Sequence, residues 1–119
     1  MIKLLFIPFI LLFLSSCSST QKHYNEKHYQ RLLCKKLNGK MEYTLKDRTR
    51  VDCLTNTYAI EVDFAKKWAE SIGQSLYYAQ ITHKKPAIAL IVGKKDTRFV
   101  KRVKKVARHC GIELFILDK

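Results

Sequence analysis

The chain has no apolar run long enough to cross a bilayer. The stretch Leu4 to Leu14 is almost wholly apolar, but it falls short of the roughly 20 residues a spanning helix needs. Acids are scarce: 10 Asp and Glu stand against 23 Lys and Arg, a formal charge of +13. Such a surplus favours polyanionic partners, namely nucleic acid, anionic lipid headgroups or lipopolysaccharide. There is no CxxC and no Cys/His cluster, which leaves no recognisable zinc site. A Gly-rich phosphate loop, a GxSxG elbow and a placeable Cys/His nucleophile pair are missing too, so nothing points to P-loop, serine-hydrolase or thiol chemistry. No internal repeat is evident.

What is present begins with an address. Lys3 supplies a positive start, the apolar run follows, and Leu14-Ser15-Ser16-Cys17 closes it. This reads as a signal peptide over residues 1–16, and its ending resembles a bacterial lipobox, in which the cysteine is acylated. Cys17 is then the lipidation site and residues 17–23 a polar tether. The expected location is the cell envelope: anchored by lipid, facing the periplasm, and in the outer rather than the inner membrane, because Ser18 and not Asp follows the cysteine. Loss of residues 1–16 removes one lysine and no acid, taking the charge from +13 to +12. With Cys17 lipidated, Cys34, Cys53 and Cys110 remain in a compartment that permits disulfides. An odd count allows at most one internal pair, and Cys34–Cys53 is the expected one.

Residues 24–119 form a single domain by length. Apolar spacing predicts a helix over Tyr24 to Leu37 and strands over Lys40 to Leu45, Arg50 to Leu54 and Tyr58 to Asp63. On the second strand, alternation puts Val51 and Cys53 on one side and Asp52 on the other. A helix is expected from Phe64 to Ile81, with Ala65, Trp68, Ile72, Leu76 and Ala79 on its apolar stripe. Lys67, Ser71, Gln74 and Tyr78 form a second, polar stripe. After a break at His83 to Pro86, Ala87 to Val92 reads as a buried strand, Thr97 to Cys110 as a basic amphipathic helix, and Ile112 to Leu117 as a last strand. The order αβββαβαβ predicts an α/β (α+β) fold, a mixed central sheet flanked by helices.

Three acids stand out: Asp52 on the second strand, and Glu61 and Asp63 at alternate positions on the third. Carboxylates converging from neighbouring strands suit a divalent metal, although Asp63 also suits a helix N-cap. The order αβββαβ with an Asp and then a Glu at these positions resembles the PD-(D/E)XK nuclease superfamily over roughly Tyr24 to Val92. Gln74-Ser75-Leu76-Tyr77-Tyr78 is similar to the QxxxY element of its RecB-like branch. The resemblance implies a restriction-endonuclease-like core and hydrolysis of DNA or RNA with Mg²⁺ or Mn²⁺. Asp52, Glu61 and Asp63 would bind the metal, Lys67 would assist catalysis, and Gln74 and Tyr78 would contact nucleic acid. The family pattern has a lysine where this chain has Asp63, so the lysine's role passes to the following helix. There Lys67 shares the stripe of Gln74 and Tyr78, and Lys66 does not.

Lys101, Lys104, Lys105 and Arg108 share a face of the basic helix, and Lys101 and Lys105 are its expected phosphate contacts. The competing expectation is a nuclease-like fold that binds nucleic acid or other polyanions at the envelope without cutting them. Membrane attachment would run through the N-terminal lipid, and no protein partner is inferable.

Overall fold

In a computed structural model, residues 22–119 are described. The expected signal peptide, Cys17 and most of the expected tether lie outside the described residues. Three helices and five strands follow the expected order: α1 Glu26–Lys36, β1 Lys40–Thr44, β2 Arg50–Leu54, β3 Tyr58–Phe64, α2 Trp68–Thr82, β4 Lys85–Val92, α3 Thr97–Cys110 and β5 Glu113–Asp118. They build one mixed sheet in the order β1-β2-β3-β4-β5. The first two pairings are antiparallel and the last two parallel. Short turns force the antiparallel half, whereas the crossovers through α2 and α3 produce the parallel half.

Asn25 starts α1, its Oδ1 accepting the His28 N–H at 3.0 Å. The helix packs Tyr29, Leu33 and Cys34 on Cys53, Ile60, Val62, Ala87, Ala89 and Ile91, one face of the sheet. On the other face, Ile88, Leu90, Val103, Ala107 and Ile112 form a core shared by α2 and α3. The α1 layer is fastened by the Cys34–Cys53 disulfide, the expected pair, and Cys110 is free and exposed. Closing a loop of this length stabilises the fold by about 3 kcal/mol in the chain-entropy account.

Two expectations need correction. The segment after β3 does not enter an α-helix at Phe64: β3 runs through Phe64, and a 3₁₀ turn over Ala65–Lys67 precedes α2. Parallel pairing of Phe64 with Ile91 holds that residue in the sheet, where apolar spacing alone counted it as helix. On β2, Val51 and Cys53 do not share a core. Cys53 belongs to the α1 side, while Val51 packs with Leu45, Ala59 and Tyr78. The cause is a local break in the sheet at Asp52.

Candidate metal and nucleic-acid site

Asp52 sits where two ladders are interrupted. On the β1 side, Met41 pairs with Cys53 and Tyr43 with Val51, but the intervening Glu42 and Asp52 do not pair. Glu42 has φ 52°, a left-handed value uncommon for a side-chain-bearing residue. Toward β3, pairing stops after Leu54–Ala59 and Cys53–Ile60. A broken ladder leaves backbone groups that must find other partners. Here the Val62 N–H donates to Asp52 Oδ2 at 2.8 Å, and Gln30 Nε2 donates to the Asp52 carbonyl oxygen at 2.8 Å. The Asp52 carboxylate thereby takes the place of a ladder carbonyl and is held at the seam between β2 and β3.

Regular β geometry positions the other two acids. Along β3, Ile60 and Val62 pack beneath α1, so Glu61 and Asp63 project to the opposite face. Both are buried, 6% and 4% exposed. Asp63 Oδ2 accepts the Ser71 hydroxyl at 2.9 Å, and Lys67 Nζ lies 3.8 Å from Asp63 Oδ1. Neither the 3₁₀ turn nor α2 has a side-chain cap, so Asp63 does not serve as an N-cap. Its backbone is still strand, and its carboxylate turns to Ser71 and Lys67 instead.

Burial dominates the electrostatics. Glu61 is pushed from 4.5 up to about 10, first by desolvation, then by the charges of Asp52 and Asp63 and a side-chain hydrogen bond with Asp52. Asp52 and Asp63 are also raised, chiefly by burial, with Val62, Ser71 and Lys67 pulling the other way. A fourth acid joins them. Glu26, at the start of α1, is raised to about 7 by desolvation and by the charge of Asp63, with which it shares a side-chain hydrogen bond. Four carboxyl groups from α1, β2 and β3 therefore press on one another. Burial and the neighbouring acids both favour the protonated form of Glu61.

Among the described residues no group of three or more His, Cys, Asp or Glu side chains stands arranged to hold a metal ion. Asp52 and Asp63 are turned to their protein donors, Val62 N–H and Ser71. The donor chemistry nevertheless fits a divalent cation. Glu61 Oε2 is buried and no hydrogen-bond partner reaches it. In the ionised form of Glu61 that oxygen would carry unpaired buried charge at a cost of several kcal/mol, which a cation would offset.

Helix α2 turns Ser71, Ser75, Tyr78 and Ala79 to the sheet, so that only part of the expected apolar stripe covers this face. Ser71, Ser75 and Tyr78 are buried against the sheet, while Leu76 is 37% exposed. Trp68 and Ile72 instead face the core shared with α3. A polar stripe packs stably here because the sheet opposite carries acids. Burial, and after it the neighbouring Glu61 and Asp52, raises the pKa of Tyr78. With its ring packed against Leu45, Val51 and Ala59, Tyr78 lines the floor of the site and is not an open contact for a nucleic-acid strand. Gln74, one turn before it, has its Oε1 buried without a donor. Lys101 and Lys105 are exposed on α3.

Two site residues escaped sequence reasoning, Glu26 and Gln30. Their one sequence signal is the spacing Glu26, Gln30, Cys34, a single stripe of α1 at intervals of four that ends in the bonded cysteine. The chain matches no protein-family model, no curated protein and no solved structure.

Proposed function

We propose that the chain is a metal-dependent nuclease with a restriction-endonuclease-like core, and that it cuts phosphodiester bonds in DNA or RNA. One observation carries the reading: Glu61 and Asp63 are buried on one face of β3, Asp52 is fixed at the adjoining β2 seam, and Glu61 Oε2 has no protein partner. The mixed sheet with two antiparallel and two parallel pairings supports it. So does the polar stripe of α2 lying over the acids.

In this reading Asp52, Glu61 and Asp63 would hold Mg²⁺ or Mn²⁺, which when bound supplies Lewis acidity toward the phosphodiester. Ser71 fixes the Asp63 carboxylate, and the Val62 N–H fixes Asp52. Lys67, beside Asp63, offers positive charge to the phosphate as negative charge grows on it. Glu26, whose carboxyl meets Asp63, would serve as the acceptor of a proton from the attacking water. Water adds at phosphorus, one ester P–O bond breaks, and the products are a phosphate monoester and a hydroxyl end. Lys101 and Lys105 attract the polyanion through salt-sensitive contacts. A groove of about 600 Å³, lined by Tyr43, Leu54, Tyr77, Ile81 and Lys84 among others, offers a strand a path along the α2 edge. Lipid attachment at Cys17 would place this activity in the cell envelope, and a disulfide suits such an oxidising compartment.

The test is incubation of the purified protein with DNA and with RNA, with Mg²⁺, with Mn²⁺ and with chelator. Metal-dependent cleavage that Glu61→Ala abolishes is the expected result. No cleavage by the wild type, or cleavage that survives Glu61→Ala, refutes the reading. Asp63 in the lysine's place favours a second reading, a fold that binds polyanions without cutting them. Salt-sensitive, metal-independent binding without cleavage is its signature.

A further inference from the structure

We infer that Gln30 is the positioning residue for Asp52, and that the Cys34–Cys53 disulfide makes this positioning, and with it the acid cluster, dependent on oxidation. The Asp52 carbonyl oxygen has lost its ladder partner on the β1 side, and Gln30 Nε2 supplies the replacement donor at 2.8 Å. Gln30 is 2% exposed, and the same nitrogen donates to Glu42 Oε1 at 3.1 Å. One amide group thus spans both residues at the interruption, Glu42 on β1 and Asp52 on β2. Removing it leaves a buried carbonyl without a donor, and the strand relieves that by shifting.

What holds Gln30 in place is covalent. Cys34 lies one turn further along the same stripe of α1 and is bonded to Cys53, the residue next to Asp52. One turn in the other direction, Glu26 meets Asp63. The stripe therefore touches the seam at three successive points: a covalent bond at Cys53, an amide at Asp52 and a carboxyl at Asp63. Gly39 follows the helix against both sulfurs, where a Cβ would stand 2.5 Å from Cys53 Sγ and 2.9 Å from Cys34 Sγ. Without the bond, α1 is kept on β2 by side-chain packing and the Gln30 amide alone.

Forming the bond removes two electrons and two protons from Cys34 and Cys53. A disulfide-bearing donor takes them up by thiol–disulfide exchange and leaves as a dithiol. Made in a reducing compartment, the protein has an unclamped Asp52; oxidation completes the cluster. The consequence for cleavage rests on the nuclease reading, while the positional claim does not.

The experiment uses the full chain in four forms: oxidised wild type, wild type held in dithiothreitol, Cys34→Ser/Cys53→Ser, and oxidised Gln30→Met, which keeps the side chain's length without its donor. Amide exchange at Val62 reports the Asp52 contact, exchange at Ile88 and Leu90 reports the core, and Mn²⁺ titration reports the acids. The expected result is faster exchange at Val62 in the last three forms, with β4 protection retained. Mn²⁺ binding should weaken by about tenfold or more, the usual cost of losing a group that orients ligands. Unchanged Val62 exchange in Gln30→Met overturns the positioning role, as does equal loosening of Val62 and β4. Reduced protein that binds Mn²⁺ as tightly as oxidised protein overturns the oxidation dependence; should the double Ser variant not fold, the dithiothreitol arm decides this. If oxidised wild type binds no Mn²⁺ while Val62 behaves as expected, the nuclease reading fails and the positioning role stands.

Discussion

Strands β3 and β4 lie side by side, parallel and in register, and both are buried through their centres. Ala87, Ala89 and Ile91 of β4 and Ile60 and Val62 of β3 face α1 together. On the opposite face the two strands differ. Ile88 and Leu90 of β4 sit beside Glu61 and Asp63 of β3, at the same depth and one strand apart. Beta-4 is thus built for stability on both faces, whereas β3 gives one face to acids that cost stability. Burial alone therefore does not distinguish core from site. The distinction lies in what covers the strand: the apolar core shared with α3 over β4, and Ser71 and Tyr78 of α2 over β3.

Exchanging the characters of the two strands is the strongest way to break this contrast. Leu90→Asp puts an acid into the shared core with no Ser71 or Lys67 to meet it. It should destabilise by more than about 4 kcal/mol or prevent folding, as read from urea unfolding. The opposite exchange, Glu61→Leu, should raise the unfolding midpoint at pH 8 while eliminating metal-dependent cleavage. A midpoint that falls would mean that Glu61 supports the fold.

The pH dependence sharpens the same contrast. Glu61 titrates near 10 and Glu26 near 7 when folded, against 4.5 ordinarily, and Asp52 and Asp63 are also raised. The folded protein thus keeps protons that the unfolded chain releases. The cluster's contribution is most favourable below about 4.5 and declines as pH rises, through about 7 for Glu26 and on toward about 10 for Glu61. Metal-free protein should therefore be more resistant to urea at pH 5 than at pH 8. Glu61→Gln should flatten the decline, and Mn²⁺ at pH 8 should recover the lost stability. A flat profile in the wild type would contradict the buried cluster.

A smaller effect belongs to the α1 face. Gly39→Ala forces a methyl against the disulfide and should cost about 1–3 kcal/mol, with a smaller penalty in the Cys34→Ser/Cys53→Ser background. Smallest of all, Lys101→Ala with Lys105→Ala should leave stability unchanged. Binding to nucleic acid should weaken several-fold, and the salt dependence of log K should drop by about two in slope.

Much of this architecture was legible in the residues. Apolar periodicity located all three helices and five strands, because each must bury a stripe or a face. Cysteine parity and the placement of Cys34 and Cys53 pointed to the bonded pair. Asp52, Glu61, Asp63 and Lys67 stood out by residue type and spacing, and the structure sets Glu61 beside Asp52 and Lys67 3.8 Å from Asp63. The burial of Ser71, Ser75 and Tyr78 on α2 was not legible, because amphipathic spacing assumes an apolar sheet beneath the helix. Nor were Glu26 and Gln30, ordinary polar residues on a helix until its packing turns them onto the seam.

By itself the sequence determined the element order, the positive surplus and the alternation that sets Glu61 and Asp63 apart from Ile60 and Val62. These are local properties, carried by residue type and spacing. The tertiary structure alone decided that the β1–β2–β3 ladder breaks at Asp52 and that Gln30 repairs it. It also decided that Glu61 is buried beside other acids, which raises its pKa. Hydrogen-bond satisfaction and desolvation depend on which groups meet across 20 or more residues of chain, as Gln30 and Asp52 do.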